Sequence, residues 1–199
     1  SKQMIKYITR PLFYAKLVGY FLFGKIFARL LFPSLDLNSR WFCSPGADGW
    51  KWIWSSFIWQ KIGGINQKTP WPVSHRIIVV KSENIKFHMD DLNNFQMMGN
   101  YFQGCGKIII GQGCYIASNV GMITQNHDLD NLDQRSEPKD IVLGKNCWIG
   151  MNSVILPGVV LGEKTIVGAG SVVTKSFLEG YCVIAGNPAK KIKDLNKNI

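Results

Sequence analysis

The chain has 199 residues, of which 46% are hydrophobic and 18% charged, and its formal net charge at pH 7 is +10. This length fits one domain with or without an appendage, and the hydrophobic fraction excludes a mainly disordered chain. Six Lys and Arg residues precede the first acidic residue, Asp36, and four lysines lie between positions 190 and 197. Such clusters suit nucleic acid, anionic lipid or a phosphate-bearing cofactor. We expect no nucleic-acid partner, because no nucleic-acid-binding motif accompanies the charge.

An apolar segment, residues 12–32, lies near the start of the chain. It is interrupted by Lys16, Lys25 and Arg29, and its longest uncharged run, residues 17–24, is far shorter than the roughly 20 residues that span a bilayer. A helix lying in the membrane interface and a helix packed on its own protein or on a neighbouring subunit both satisfy this pattern. No cleavable signal peptide is evident.

Residues 36–75 have no regular period and are rich in tryptophan. The six tryptophans of this segment are Trp41, Trp50, Trp52, Trp54, Trp59 and Trp71. Tryptophan beside a basic apolar helix suits the boundary between water and lipid, and the packing of a small cap gives the same composition. We therefore predict a helical, Trp-rich extension over residues 1–75, with peripheral membrane contact through residues 1–60 as one hypothesis, and a second domain over residues 76–199.

A period of six residues dominates this second domain. The aliphatic residues at that period are Leu143, Ile149, Ile155, Leu161, Val167 and Val173, and the small or β-branched residues four positions after the first five are Cys147, Ser153, Val159, Thr165 and Ser171. A helix repeats every 3.6 residues and a strand every two, so neither alone gives this period. It fits a parallel β-helix, in which three short strands make one coil and the aliphatic residues point inward. We predict coils from about residue 77 to residue 173.

The period is broken once. It is also present at Ile110, Ile116 and Met122, but Met122 and Leu143 are 21 residues apart, so the phase shifts by three. A segment must leave the coil there, and it contains His127. We expect function to be located at this break.

The cysteines and the C-terminal segment add two further expectations. The five cysteines are odd in number and form no C-x-x-C pair, which predicts neither a disulfide framework nor a zinc site and favours a reduced, cytosolic setting. Residues 180–199 contain the turn-prone Gly186-Asn187-Pro188 and a Lys-rich tail, for which we predict a short helix.

Several motifs, taken in chain order, resemble the hexapeptide-repeat acyltransferases. The matching segments are residues 126–128, 141–150, 155–159, 168–175 and 185–190. The resemblance covers residues 85–193 and is nearest to maltose, galactoside, nodulation-factor and polysaccharide O-acetyltransferases; residues 1–75 match no pattern we recognise. It implies a left-handed parallel β-helix, an acetyl-CoA-dependent O-acetyltransferase acting on a sugar hydroxyl, and a homotrimer whose active sites lie between subunits. With the N-terminal extension, the expected acceptor is a surface polysaccharide or its lipid-linked precursor at the inner face of the membrane.

Transfer of an acetyl group from a thioester to a hydroxyl needs a base that removes the hydroxyl proton. Histidine suits this role because its unperturbed pKa is near neutrality. Of His75, His88 and His127, only His127 lies in the break of the repeat, and we predict that it is the general base. No G-x-S-x-G motif is present, so we expect direct transfer without an acyl-enzyme. Asp128, Asp130 or a backbone carbonyl would orient its ring.

The remaining site residues are implied by the resemblance. Asn100 resembles the asparagine near the acceptor, the backbone N–H of Met151 is the donor to the oxyanion, and Trp148 lies along the pantetheine arm. Backbone groups of Ala169 and Thr174 hold the pantetheine amides, and the residues expected at the phosphates are Lys175, Lys190 and Lys191. A turn residue, a surface aromatic and a solvated tail are the corresponding alternatives for Asn100, Trp148 and the C-terminal lysines.

Three rival functions follow from the same sequence. The first is acetylation of a small soluble acceptor, such as a free sugar, an antibiotic, serine or the amine of a nucleotide sugar. The second is a metal-dependent carbonic anhydrase on the same fold, which needs three histidine ligands; His88 and His127 have no third histidine nearby, so we expect no metal. The third is a non-catalytic scaffold. Such a scaffold would lack the loop histidine or the cofactor-binding ending, and this sequence contains both.

Overall fold

The computed structural model describes the backbone of residues 2–197 and the side chains of residues 11–197, so the side chains of Lys2, Lys6 and Arg10 lie outside the described part. The chain forms two compact units, Ser1–His75 and Arg76–Ile199. We call them unit 1 and unit 2 and describe each by itself.

Unit 1 is built from helices joined by irregular segments. Its elements are α1 (Lys2–Leu31), α2 (Asp48–Ser56) and a π-helical turn (Phe57–Ile62). Within this extension we expected residues 36–75, which have no regular period, to be irregular, and α2 corrects this expectation. Trp50, Ile53 and Phe57 follow the spacing of three and four that aligns side chains on one helical face, and Trp50 and Ile53 are buried.

Helix α1 packs on α2 through a glycine. A Cβ atom at Gly24 would lie 2.5 Å from Trp50 Cε3, so only glycine allows the indole to lie this close to the helix. Phe21 meets Trp50 edge-on at 5.3 Å between ring centroids, and Phe23 meets Trp54 at 4.9 Å. These aromatic contacts join the C-terminal half of α1 to α2.

Unit 2 is a three-sided parallel β-helix. Sheet A contains β1 (Ile78–Val80), β3 (Tyr101–Gln103), β6 (Gly121–Ile123), β9 (Val154–Ile155) and β12 (Val172–Val173). Sheet B contains β2 (Ile85–Lys86), β4 (Ile108–Ile110), β7 (Ile141–Leu143) and β10 (Val160–Leu161). Sheet C contains β5 (Tyr115–Ile116), β8 (Trp148–Ile149), β11 (Thr165–Val167), β13 (Cys182–Gly186) and β14 (Ala189–Asp194). Neighbouring strands are parallel except for β13 and β14, so the predicted coil is confirmed.

The core of the β-helix consists of the predicted inward residues. The six aliphatic residues from Leu143 to Val173 and the five small residues between them are each no more than 1% exposed. The polar members of the small set donate to carbonyls of the turns: Ser171 Oγ lies 2.6 Å from Gly168 O, and Thr165 Oγ1 lies 2.7 Å from Gly162 O. Their burial therefore leaves no hydroxyl unpaired.

The turns between strands repeat a left-handed backbone conformation every six residues. The residues concerned are Asn146, Asn152, Gly158, Lys164 and Gly170, whose φ angles lie between 54° and 85°. Asparagine and glycine tolerate this region best, so Lys164 is the exception. The coils also approach closely at Gly144, where a Cβ atom would lie 2.5 Å from Glu163 N.

Both ends of the coil are closed by hydrogen bonds. At the first end Asn94 replaces a missing strand next to β5: its Nδ2 donates to Cys114 O and its Oδ1 accepts from Ile116 N, at 2.9 and 2.8 Å. At the other end the predicted C-terminal helix is wrong, because residues 189–194 form β14, antiparallel to β13. The open edge of sheet C supplies hydrogen-bond partners that a helix would leave unused, and the Lys-rich composition predicted only that the segment is exposed.

Candidate functional site

The break in the repeat is a loop, residues 124–140, between β6 of sheet A and β7 of sheet B. It folds back on itself: His127 and Arg135 form an antiparallel bridge, Ser136 N donates to Asn126 O at 3.0 Å, and Lys139 N donates to Thr124 O at 2.8 Å. Ser136 Oγ also donates to Asn126 O at 3.1 Å. The loop is thus an ordered hairpin-like projection that fixes His127 beside the coil.

The imidazole of His127 is oriented by a backbone carbonyl. Its Nδ1 lies 2.7 Å from Leu132 O. A carbonyl oxygen can only accept, so Nδ1 carries the proton and the neutral ring presents Nε2 as an acceptor. This is the tautomer that a general base requires, and the fixed ring orientation meets the second requirement of such a base.

Of the three groups that could orient His127, Asp128 has a different role in this geometry. Asp128 Oδ1 accepts from Asp130 N at 2.9 Å and from Asn131 N at 3.0 Å, which is the pattern of a loop cap. Among the three candidates for orienting His127, the structure therefore selects the carbonyl. Asp128 supports the turn that carries this carbonyl.

A cavity of about 560 Å³ opens beside His127. It is lined by Asn126, His127, Asp128, Leu129, Asp130, Ser136, Glu137, Lys139, Leu156, Pro157 and Thr174. Leu156 follows β9, and Thr174 follows β12, so the cavity lies where the strands of sheet A end. We call this the carboxyl edge of sheet A, and the edge where its strands begin the amino edge.

Met151 lies at the amino edge. It precedes β9 by three residues, and its neighbour Asn152 donates from its backbone N to Ser118 O at 3.2 Å. Met151 O accepts from Gly170 N at 2.8 Å, whereas the Met151 N–H donates to no acceptor within residues 2–197. The backbone donor that we predicted is thus available, but at the edge opposite to His127.

The residues predicted for the cofactor divide between the two edges. Exposed Thr174 and Lys175 follow β12 at the carboxyl edge. Ala169 is exposed beside Met151 at the amino edge. Lys190 lies in the hairpin of β13 and β14 in sheet C, where it pairs in register with Ala185.

Two further predicted cofactor residues lie on sheet C. Trp148 is 54% exposed on its outer face, three residues before Met151. Lys191 is engaged with Asp194, with 2.8 Å between Nζ and Oδ1, and this hydrogen bond raises the pKa of Lys191.

Asn100 is buried and is not among the residues that line the cavity beside His127. It is 1% exposed, its Oδ1 accepts from Val120 N at 2.9 Å, and its Nδ2 is buried without a hydrogen-bond partner in the described part of the chain. That Asn100 lies near the acceptor therefore stays a prediction; within the single chain its amide oxygen binds the backbone just before β6.

Sequence reasoning missed half of the cavity lining. Ser136, Glu137 and Lys139 enter it only because the loop turns back at the bridge between His127 and Arg135, and no residue pattern signals that bridge. Leu156 and Pro157 belong to a repeat motif that had been recognised, but no role had been assigned to them. Their position directly after an inward aliphatic residue was the available signal.

Comparison with known proteins supports a family assignment. Residues 140–175 match the family model for the bacterial transferase hexapeptide (six repeats). The chain is 33% identical over 134 residues to a probable macrolide acetyltransferase of Lysinibacillus sphaericus, covering 57% of this chain and 71% of that protein. It is 37% identical over 94 residues to a putative acetyltransferase of Saccharomyces cerevisiae, covering 46% of this chain and 47% of the relative. A maltose O-acetyltransferase structure from Clostridium difficile 630 is 30% identical, with a TM-score of 0.47 and coverage of 61% and 60%.

The chain thus spans about half the length of the yeast relative and about seven tenths of the macrolide acetyltransferase. The shared part includes the six-residue repeat, and the prediction of a left-handed parallel β-helix is confirmed. From these matches and from the coil itself, we conclude that the chain belongs to the hexapeptide-repeat acyltransferase family.

Proposed function

We propose that the protein is an acetyl-CoA-dependent O-acetyltransferase that acts on a sugar hydroxyl of a surface polysaccharide or of its lipid-linked precursor. The observation that carries this proposal is the imidazole of His127, held by the Leu132 carbonyl 2.7 Å from Nδ1 at the wall of an open cavity. A base fixed in this tautomer next to a cavity suits removal of a proton from an acceptor hydroxyl.

The chemistry divides between two groups of the protein. His127 Nε2 takes the hydroxyl proton as the acceptor oxygen attacks, and the Leu132 carbonyl stabilises the resulting imidazolium through Nδ1–H. The Met151 N–H donates to the oxygen on which negative charge develops. The proton then passes from the imidazolium to the leaving thiolate, so no side chain of the protein becomes acylated.

Acetyl-CoA supplies the activated acetyl group when it is bound as co-substrate. The residues present fit such a ligand. Trp148 offers an exposed ring for an extended arm. Lys175 and Lys190 are exposed, without a carboxylate within ion-pair distance in the described part of the chain. Unpaired ammonium groups are available to phosphates, whereas the Lys191 ammonium is already engaged by Asp194.

We further propose a homotrimer in which each active site lies between two chains. His127 lies at the carboxyl edge of sheet A and Met151 at the amino edge, so one chain does not bring the base and the oxyanion donor together. A cyclic oligomer brings the carboxyl edge of one chain to the amino edge of the next.

The polarity of the cavity supports a sugar acceptor. Asp130, Ser136, Glu137 and Lys139 contribute charged or hydroxyl groups, and only a few apolar side chains, such as Leu156, accompany them. Groups that donate and accept hydrogen bonds in this density match the hydroxyls of a glycan, since unpaired buried polar groups would penalise an apolar ligand.

A second candidate is acetylation of a small soluble acceptor such as an antibiotic. It is favoured by the 33% identity to the probable macrolide acetyltransferase, of which the chain covers 71%. The loop and the coil would perform the same chemistry on either acceptor, so the choice depends on which molecule the cavity admits.

The experiment that tests the proposal is thiol release from acetyl-CoA by the wild type and by His127→Ala. The acceptor panel contains free sugars, extracted lipid-linked glycans, chloramphenicol and a macrolide. His88→Ala is the matched control, because His88 Nδ1 accepts from the nearby Asp90 N and His88 is not among the residues that line the cavity.

We expect turnover on a glycan that falls by about 10²- to 10⁴-fold in His127→Ala and stays near wild type in His88→Ala. Turnover on the macrolide alone would select the second candidate. Absence of acetyl-CoA binding and of thiol release with every acceptor would overturn the proposed function altogether.

A further inference from the structure

Helix α1 has two apolar faces, and unit 1 covers only one of them. Gly24 and Ala28 are buried against the rest of the unit. Leu22, Ile26 and Leu30, four residues apart and therefore on one face, are 54%, 69% and 75% exposed. A helix whose role is to pack in the core of a soluble protein does not leave such a row in water.

The exposed apolar surface extends along the part of the helix whose side chains are described, residues 11–31. The segment Pro11–Leu31 is long and apolar enough to cross a membrane. Only 11% of its most apolar stretch of 18 residues is buried. Leu12 and Phe13 near its start are about 60% exposed as well. In the same unit, Trp59 and Ile62 of the π-helical turn are exposed, which adds to the apolar surface of unit 1.

The charge of the molecule is concentrated in this unit. Residues 1–75 contain ten Lys and Arg and two acids, which gives +8, and residues 76–199 contain thirteen and eleven, which gives +2. A basic surface around exposed apolar side chains matches an anionic bilayer, where lipid tails cover the apolar row and headgroups neutralise the charge. An apolar contact with a second protein needs no such excess of cations.

The position of the cations favours a helix that lies in the interface over one that crosses it. Lys16 and Lys25 lie inside the Pro11–Leu31 segment, and basic residues precede and follow it. Crossing would leave one basic flank on the far side of the membrane, contrary to the bias of positive residues toward one side. The contacts of Gly24 with Trp50 also hold the helix against α2, which carries charged residues such as Lys51.

We propose that unit 1 is a membrane-binding module that inserts the Leu22, Ile26 and Leu30 face of α1 into an anionic leaflet without crossing it. The Lys16 and Arg29 side chains then lie at the level of the headgroups, and unit 2 remains in water. Binding by unit 1 is independent of the chemistry of His127, but it would hold the active site at the surface where a lipid-linked acceptor is located.

The test is co-sedimentation of the full chain with vesicles of phosphatidylcholine alone and of equal parts phosphatidylcholine and phosphatidylglycerol. The first variant is the double substitution Ile26→Glu and Leu30→Glu, at positions where exposure leaves the packing of unit 1 unaffected. The second is Lys16→Glu with Arg29→Glu. The matched control is Leu178→Glu in unit 2, since Leu178 is 70% exposed. Circular dichroism and thiol release with a soluble acceptor check that each variant is folded.

We expect the wild type to bind the anionic vesicles and to be released by high salt. The apolar-face variant should bind at least about tenfold more weakly, the charge variant should lose its preference for anionic vesicles, and the control should bind as the wild type does. Retention of the wild type after alkaline carbonate extraction would overturn the in-plane arrangement.

The proposal would be overturned if the wild type bound neither kind of vesicle and the apolar-face variant had a lower oligomeric mass than the wild type. The exposed face would then be assigned to contact with a second copy of the chain. If the wild type bound vesicles but released no thiol with any acceptor, the proposed function would be contradicted and the proposal of a membrane-binding module would be retained.

Discussion

His127 and Met151 lie at opposite edges of the same sheet. The register pairs Gly121 with Val154 and Met122 with Ile155, so the loop after β6 aligns with the residues that follow β9, whereas Met151 precedes β9. The base and the oxyanion donor of one chain are therefore separated by the width of sheet A. Our proposal of an inter-subunit active site rests on this relationship.

That separation predicts complementation between two inactive variants. His127→Ala removes the base at the carboxyl edge, and Ala169→Trp blocks the amino edge at an exposed position. Random mixed trimers made from equal amounts of the two chains would have both edges intact at about one quarter of their sites, so about one quarter of the wild-type activity should return. The measurement is thiol release after co-expression of the two chains.

Two mixtures control this experiment. His127→Ala mixed with wild type should retain about half of the activity, and two different substitutions of His127 mixed together should recover none. No recovery in the first pair, with trimers shown to be mixed by mass spectrometry, would mean that each site is formed within one chain.

The loop predicts that the charge of Asp128 is dispensable. Asp128 Oδ1 accepts from two backbone N–H groups, and an asparagine keeps that oxygen. Asp128→Asn should therefore retain kcat within about threefold, while Asp128→Ala loosens the turn that carries the Leu132 carbonyl and lowers kcat by about tenfold. If the carboxylate instead oriented the imidazole, the asparagine variant would lose about 10⁴-fold, as in a triad with the wrong tautomer.

The coil and the loop that carries His127 show which features the sequence could predict. The six-residue period located every inward aliphatic residue from Leu143 to Val173, because the narrow interior accepts only one residue class at each corner. The break in the period located His127, because a segment that does not follow the period must leave the coil. The Leu132 carbonyl escaped prediction because a backbone group carries no signature of residue type.

The errors have a similar physical origin. The strand at residues 189–194 exists because β13 leaves an open edge, and such a vacancy is visible only once the other strands are assembled. The same holds for Asn94, whose amide replaces a missing strand. Helix α2 was missed because its period is short and its tryptophans were attributed to an irregular cap.

Buried thiols in the coil lead to a prediction about reactivity. Cys114 and Cys147 are no more than 1% exposed, and their Sγ atoms donate to Gly144 O and Gly162 O at 3.1 and 3.2 Å. The neighbouring Cys147 side chain and burial raise the pKa of the Cys114 thiol, so it stays protonated and unreactive. Cys43 in unit 1 is exposed.

In native conditions we therefore expect Cys43 to react fastest with a disulfide reagent and the partly exposed Cys105 to react more slowly, and Cys43→Ser should remove the fastest phase. All five thiols should react in denaturant, which serves as the control for the total. Reaction of Cys114 as fast as Cys43 would show that the first coils open readily.

The repeated left-handed turns predict a stability difference between two glycines. Gly170 has φ +69° with nothing within 4 Å of an added Cβ atom, so Gly170→Ala incurs a purely conformational cost of about 1–2 kcal/mol. Gly121 lies in β6 outside the left-handed region, and its added Cβ atom would meet Val154 at 3.8 Å, an ordinary contact. In thermal unfolding, Gly170→Ala should lower Tm by about 2–8 °C, whereas Gly121→Ala should leave it unchanged or raise it. Equal effects of the two substitutions would mean that the left-handed turns do not limit the stability of the coil.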